Sequence, residues 1–293
     1  MTRDILAARN TEQLRAIAAS GALLSFDFDG TLAPIAHEAS AARMRSETSE
    51  LLRSLAHAAP VAVITGRSVH DVMLRLDDIP MLAVIGNHGA EPSRFAKRAT
   101  REVASWTPML EALLATLPGT FLENKRMSVS VHYWHSTDPG RVIASVEALV
   151  RTMPHGVDIV HGQGLINLVP HGAPDKGMAL TQLVKSHALP GALFVGDELT
   201  DEAGFRDVTD GRGMGVRVGR VRHTAAAFHI ATQLDIDALL TELLIGRTRP
   251  SGRAGPRSVL GAATAEVLTD PVDEAPRLDA RGAYQPTTDG RDR

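Results

Sequence analysis

The chain has 293 residues, with 31 Lys and Arg against 34 Asp and Glu, for a formal charge of -3, so no strong field draws it to nucleic acid or to an anionic membrane. Cysteine is absent and aromatic residues make up only 4%, which excludes disulfides and thiolate metal sites and argues against stacking platforms for bases. A small-molecule partner is the default, met by carboxylates, histidines and a hard cation, in a chain with room for roughly two domains.

The first residues mix Arg3, Asp4, Arg9, Glu12 and Arg15 into an apolar background, so they lack the unbroken hydrophobic stretch of a signal peptide. No later segment reads as a membrane span, and a soluble cytoplasmic protein is expected. Thr11 to Ala19 reads as a short helix with Leu14 and Ile17 inward. Leu23-Leu24-Ser25-Phe26 is then an apolar strand that runs into Asp27-Phe28-Asp29-Gly30-Thr31-Leu32. Asp27 and Asp29 stand two residues apart where the strand ends, so both can be held near one cation. Gly30 lets backbone N–H groups approach an anion, and Thr31 adds a hydroxyl donor. Carboxylates beside amide donors suit a magnesium-bound phosphate. Taken alone, the four residues also fit a turn whose carboxylates satisfy nearby N–H groups.

Ser46 to Ala58 carries Leu51, Leu52 and Leu55 at helical spacing, and Pro60 to Ile64 is a second apolar strand ending in Thr65-Gly66-Arg67. Strand, small polar turn and helix in succession indicate a parallel sheet with ligands beyond the strands' carboxyl ends. The Thr65 hydroxyl and the following amides, at the start of a helix from Val69 to Leu76, either hold phosphate or simply make the turn. Arg67 fits a substrate contact or an ion pair. A third strand, Met81 to Ile85, ends in Gly86-Asn87-His88-Gly89, a tight loop in which Asn87 and His88 face the cleft or solvent.

Between Thr100 and Pro174 the pattern changes, which marks an inserted α+β cap. A helix from Glu102 to Leu117 is expected, then a strand through Phe121 to Trp134 in which Met127, Val129, Val131 and Tyr133 alternate with Ser128, Ser130, His132 and Trp134, one face buried and the other open to substrate. Asp138-Pro139 starts a helix, and strands follow at Val157 to His161 and Leu165 to Val169. Glu123 and Lys125 offer an acceptor and a donor side by side, with His132 adding a further hydrogen bond, for the hydroxyls of a ligand, or they are a solvated charged turn.

Asp175-Lys176-Gly177 returns the chain to the core and opens a helix. A cation in a first turn opposes the helix dipole, so Lys176 should have a compensating partner: a phosphate, or an ion pair with Asp175 or Asp197. Ala192 to Gly196 is a fourth strand, and Asp197-Glu198-Leu199-Thr200-Asp201-Glu202 crowds carboxylates after it, for a cation or as helix caps. Met214 to Gly219 reads as the last core strand, and Asp235 to Leu244 as a closing helix. The tail from 248 to 293 is expected to lack a fixed structure.

The Asp27-Phe28-Asp29-Gly30-Thr31 string resembles the first motif of the haloacid-dehalogenase-like phosphohydrolases, Thr65-Gly66-Arg67 their second, Lys176-Gly177 the third, and Gly196-Asp197-Glu198-Leu199-Thr200-Asp201-Glu202 the fourth. Ala33-Pro34-Ile35, the Gly86-Asn87-His88-Gly89 loop, Glu123-Asn124-Lys125 and Ser130-Val131-His132-Tyr133 are similar to segments of the trehalose-6-phosphate phosphatase family. The resemblance implies a Rossmann-like parallel-sheet core, residues 1–99 and 175–247, around a cap at 100–174. It implies Asp27 as nucleophile, Asp29 as general acid and base, Thr65 as phosphoryl anchor, Lys176 as charge neutraliser, and Mg²⁺ held by Asp27, the Asp29 backbone carbonyl and Asp197, with Asp201 in an outer position. Gly30, Thr31, Gly66, Arg67, Asn87, His88, Glu123, Lys125, His132 and Asn167 are the implied substrate contacts. Two departures stand out: Asn167 lies where the family carries a charged element, and Glu198 replaces an Asp. The expectation is a Mg²⁺-dependent trehalose-6-phosphate phosphatase, with another sugar-phosphate phosphatase or a noncatalytic sugar-phosphate sensor as alternatives.

Overall fold

Three adjacent central strands whose every residue is buried set the layout. In chain order the elements are β1 (Arg3–Asp4), α1 (Thr11–Ala19), β2 (Leu23–Phe26), α2 (Ser46–Ala58), β3 (Val61–Ile64), α3 (Val69–Leu76), β4 (Ala83–Ile85), α4 (Ala96–Leu114), β5 (Phe121–Asn124), β6 (Val129–His132), α5 (Pro139–Val150), β7 (Val157–Gly162), β8 (Leu165–Pro170), α6 (Lys176–Ser186), β9 (Ala192–Gly196), α7 (Glu202–Asp210), β10 (Met214–Val218), β11 (Phe228–Ile230) and α8 (Ile236–Thr248). The structure is a computed structural model describing residues 2–248 other than 37–38, 94, 154–155, 163 and 211–212. The expected tail lies, but for Thr248, outside the described residues.

The entirely buried strands β2, β3 and β9 must be covered on both faces, the signature of a parallel sheet between helical layers. They lie side by side in the order β1-β11-β10-β9-β2-β3-β4, and every pairing is parallel. The pleat then splits each apolar run between two cores. Leu24, Phe26, Val61, Val63, Leu193 and Val195 pack with Leu52 and Leu55 of α2 and Leu239, Leu240 and Leu243 of α8. Leu23, Ala62, Ile64 and Phe194 pack on the opposite side with Leu180 and Leu183 of α6 and Phe205 of α7.

The cap is an antiparallel sheet, β5-β6-β8-β7. Val129, Val131, Ile166 and Leu168 turn one face onto Val103, Trp106 and Leu110 of α4 and Val142 and Val146 of α5. Asp138 caps α5 by accepting from the Arg141 N–H at 2.9 Å, with Pro139 in the first turn where its missing donor costs nothing.

Several expected elements are redrawn. The single strand expected from Phe121 to Trp134 is a hairpin: Asn124 Oδ1 accepts from the Arg126 N–H at 2.8 Å, the Lys125 N–H donates to the Ser128 carbonyl at 3.0 Å, and Arg126 takes a left-handed φ of 70°. An Asn turn followed by a charged pair interrupts the alternation without leaving a glycine to mark it. On the polar side of β6 Ser130 is fully buried, as is Ser128 just before the strand, while His132 at its end is half-buried. The helix expected from Glu102 to Leu117 runs from Ala96 to Leu114, and the final helix extends to Thr248 rather than Leu244. β10 is not the last core strand: β11 pairs with it, Val218 opposite Ile230, and β1 pairs with β11. Segments of three and two residues are too short to show a period.

Candidate active site

Because β9, β2, β3 and β4 are neighbours and parallel, the segments after their carboxyl ends, Asp27 to Thr31, Thr65 to Arg67, Gly86 to Gly89 and Asp197 to Asp201, meet along one edge of the sheet. Asp27, 2% exposed, is held there by its N–H donating to the Val195 carbonyl at 2.8 Å. Lys176, 1% exposed at the first position of α6, places Nζ 3.0 Å from Asp27 Oδ1 and 2.7 Å from Asp201 Oδ1. These two carboxylates are the partners its adverse helix position required, rather than Asp175 or Asp197. Asp175 instead caps α6 through the Met178 N–H at 2.8 Å. Burial opposes the charge on Lys176, but Asp201, Asp27 and Glu198 outweigh it and push its pKa up. Asp27 is pushed well above the usual carboxylate range, first by burial, with Lys176 pulling down and Asp201, Asp197 and Glu198 pushing further up.

Asp197 Oδ1 accepts from the Thr31 hydroxyl at 3.1 Å. Gly30, at φ +74°, lies so close that a Cβ there would stand 2.1 Å from Asp197 Oδ2, so only glycine lets these two segments meet. Burial, then Asp201 and Glu198, raise the Asp197 pKa to about 7. Asp201 is buried, and its Oδ2 accepts from the Glu198 N–H at 2.8 Å. One oxygen each from Asp27, Asp197 and Asp201 lies within 4.8 Å of the others. Lys176 alone cannot neutralise these carboxylates. An all-oxygen donor set with excess negative charge and no thiolate fits a hard divalent cation such as Mg²⁺. The Asp29 carboxylate is not one of the three; it faces Arg67. Glu198 itself is exposed, its Oε2 accepting from Thr200 Oγ1 at 3.3 Å.

The second wall of the cleft begins at Thr65, buried, whose Oγ1 accepts from the Arg67 N–H at 3.2 Å. Arg67 makes an ion pair: Nε to Asp29 Oδ2 and Nη2 to Asp29 Oδ1, both 2.6 Å, and Nη1 to Asp71 Oδ2, also 2.6 Å. Burial lowers the Arg67 pKa, and the bonds to Asp29 and Asp71 more than reverse this. The His88 imidazole lies over Gly66, where a Cβ would meet Cε1 at 2.5 Å. Burial, then Lys176 and Lys125, hold His88 well below the ordinary histidine pKa, so the ring is neutral. Asn87 donates from Nδ2 to Glu91 at 2.8 Å and accepts on Oδ1 from the Ser128 hydroxyl of the cap at 3.3 Å.

The cap turns its polar face to this edge. Glu123, Ser130 and Asn167 are cross-strand neighbours on one face, and the Ser130 hydroxyl donates to Asn167 Oδ1 at 2.5 Å. Glu123 accepts from His132 Nε2 at 2.9 Å and lies 3.8 Å from Lys125 Nζ. Burial raises the Glu123 pKa, yet His132, Lys125 and more weakly Arg67 leave it lowered overall. Lys125 and Glu123 thus act electrostatically on core residues as well as on each other.

The sequence did not point to Asp71 or Arg217. Arg217 of β10 donates to the carbonyls of Asp197 and Glu198 and pairs with Glu202 at 3.0 Å, clamping the loop that carries Asp197. For Asp71 a signal existed, four residues beyond Arg67 on one helix face; for Arg217, inside an apolar strand, there was none.

A parallel core, an antiparallel cap and an acidic centre after the first long strand define a haloacid-dehalogenase-like hydrolase fold. A haloacid-dehalogenase-like hydrolase from Bacteroides thetaiotaomicron matches with a TM-score of 0.57 at 16% identity over 76% of this chain and 99% of that one. The C-terminal domain of the Candida albicans trehalose-6-phosphate phosphatase matches at 0.69, with 20% identity over 83% and 99%. The chain belongs to the trehalose-phosphatase family, whose model matches residues 25–233. A trehalose-phosphate phosphatase of Mycobacterium avium is 33% identical over 214 residues, 68% of this chain and 54% of that protein. An uncharacterized glycosyl hydrolase of Mycobacterium tuberculosis is 32% identical over 241 residues, 74% of this chain but 18% of its own length. The chain spans about half the length of the trehalose-phosphate phosphatases it matches.

Proposed function

We propose that this chain hydrolyses trehalose 6-phosphate to trehalose and phosphate, with Asp27 as the nucleophile. The observation that carries this reading is the buried Asp27 carboxylate held 3.0 Å from Lys176 beside Asp197 and Asp201, an arrangement that a merely structural aspartate does not need. Asp27, Asp197 and the Asp29 carbonyl would hold Mg²⁺, which when bound offsets the repulsion between carboxylate and phosphate oxygens.

An Asp27 oxygen attacks phosphorus, the bond from phosphorus to the sugar oxygen breaks, and Asp29, released from one of its two Arg67 bonds and carrying a proton there, gives that proton to the sugar oxygen. In the second step Asp29 takes a proton from water, whose oxygen attacks the phosphoryl group, and the Asp27 carboxylate is released. Lys176 keeps Asp27 oriented and balances its charge through both steps. The Thr65 hydroxyl and the amides after it orient the phosphoryl group. Glu123, Lys125, His132 and Asn167, on the cap face above, bind sugar hydroxyls, and the cap excludes water from the first step. Asn167 offers a neutral hydrogen-bonding group where the resemblance implies a charged element, and so bears on which sugar is taken.

Phosphate release from trehalose 6-phosphate and a panel of other sugar phosphates, with and without Mg²⁺, tests the reading. Release from trehalose 6-phosphate that needs Mg²⁺, exceeds release from the rest of the panel and is lost in Asp27→Asn is the expected result. Binding without release by the wild type would refute it in favour of a sensor.

A further inference from the structure

The cap carries two large aromatic side chains that its own core does not use. Phe121 is 63% exposed and Trp134 58%, whereas the other tryptophan, Trp106, is fully buried. Both flank His132, at ring-centroid distances of 5.7 Å and 6.4 Å, with the indole within 20° of parallel to the imidazole.

Trp134 is fixed despite its exposure. Its Nε1–H donates to His132 Nδ1 at 3.0 Å, and since an indole N–H only donates, Nδ1 is an acceptor and the His132 proton sits on Nε2, aimed at Glu123 Oε2 at 2.9 Å. The indole also lies on Gly164, at φ +74°, where a Cβ would meet Cε3 at 2.5 Å. An exposed ring held by a hydrogen bond and a glycine has given up rotamer freedom without being buried, which is how a preorganised binding surface is built.

The sheet register places this surface. Phe121, His132 and Leu165 are cross-strand neighbours, two residues along each strand from Glu123, Ser130 and Asn167. Alternation puts both rows on the same face, about 6.8 Å apart. The cap meets the core at the start of β6, where the Ser128 hydroxyl donates to Asn87 Oδ1 at 3.3 Å; the first row follows two residues on at Ser130, and the second lies one ring-sized step farther from the core.

We propose that Phe121 and Trp134 form a subsite for the phosphate-free hexose ring of a disaccharide phosphate, and so set the preference for a disaccharide over a monosaccharide. This deepens the phosphatase reading and rests on it. The C–H face of a pyranose packs on an aromatic ring, while its hydroxyls reach the polar groups beside it, and the Trp134-His132-Glu123 chain couples the aromatic platform to the acceptor of the first row.

The test uses the full chain with trehalose 6-phosphate and glucose 6-phosphate. Trp134→Ala and Phe121→Ala should each raise KM for trehalose 6-phosphate about fivefold to tenfold, leave its kcat within about twofold, and raise KM for glucose 6-phosphate far less; Trp134→Phe, which keeps a ring but loses the Nε1–H that holds His132, should recover only part of the loss. Because Trp106 is sealed, iodide quenching of fluorescence reports on Trp134, and added trehalose, which has no phosphate, should protect it. An unchanged KM, an equal loss on both substrates, or no protection by trehalose overturns the subsite. Protection by trehalose without any phosphate release would instead sustain the subsite and refute the phosphatase reading.

Discussion

Arg67 grips Asp29 with both arms of its guanidinium, Nε and Nη2 each 2.6 Å from a different carboxylate oxygen. The third arm is tied to Asp71 at 2.6 Å, and Asp71 is tied in turn to Arg75 at 2.6 Å. The proposed acid and base is therefore aimed by a planar fork anchored on α3, a geometry a lysine cannot reproduce.

Arg67→Lys should lower kcat by about tenfold or more while KM for the sugar phosphate moves little, since the change misaligns a group that acts in the transition state. Steady-state kinetics on the purified variant checks it. An unchanged kcat would mean that Asp29 is aimed by something else.

Lys176 is the charge on which the buried carboxylates depend. Replacing it with Met leaves Asp27 and Asp201 uncompensated in the interior, and breaking a buried pair from one side costs about 3–5 kcal/mol. Urea unfolding of Lys176→Met should show that loss, and Mg²⁺ should restore a larger share of stability in the variant than in the wild type, because a cation can take over part of the lost charge. A variant as stable as the wild type without metal would contradict the ion-pair account.

Metal binding should itself be visible in stability. A ligand that binds only the folded state at a hundred times its Kd adds about 2.7 kcal/mol. Mg²⁺ should raise the thermal midpoint of the wild type, a chelator should reverse the rise, and Asp197→Asn should abolish it. An Asp197→Asn protein that still responds fully to Mg²⁺ would place the ion elsewhere.

The core was legible because its strands bury both faces: runs such as Leu23 to Phe26 and Ala192 to Gly196 cannot be anything half-solvated, and each is followed by a polar turn. That order also placed Asp27, Thr65 and Asp197 along one edge before any coordinates. The charged turn at Lys125 was one of two readings of the sequence, but the strand Phe121–Asn124 ahead of it was not separated from β6, because Asn124 makes the turn with a side-chain hydrogen bond in place of a glycine. β1 and β11 are too short to carry a pattern and exist only because neighbouring strands template them. The partners of Lys176 and Arg67 were open for a related reason: a sequence shows which charges exist, while the fold alone decides which of several carboxylates comes within 3 Å of them.

His88 supplies a pH dependence whose sign follows from its surroundings. Its Nδ1 is buried without a hydrogen-bond partner among the described residues, and burial, Lys176 and Lys125 hold its pKa well below the ordinary 6.5. Below that value the unfolded chain takes up a proton that the folded protein refuses, so the folded state loses stability as the pH falls, by at most about 1.4 kcal/mol per pH unit from this one group. Above it both states hold a neutral ring and the term vanishes. His88→Gln removes the titration, so the variant should gain stability relative to the wild type on going from about pH 8 to about pH 5.5, as read from urea midpoints at each pH. Carboxylates titrate in both proteins and cancel in the comparison. A difference that stays constant with pH would mean that His88 accepts its proton in the fold, and that the two lysines do not keep it neutral.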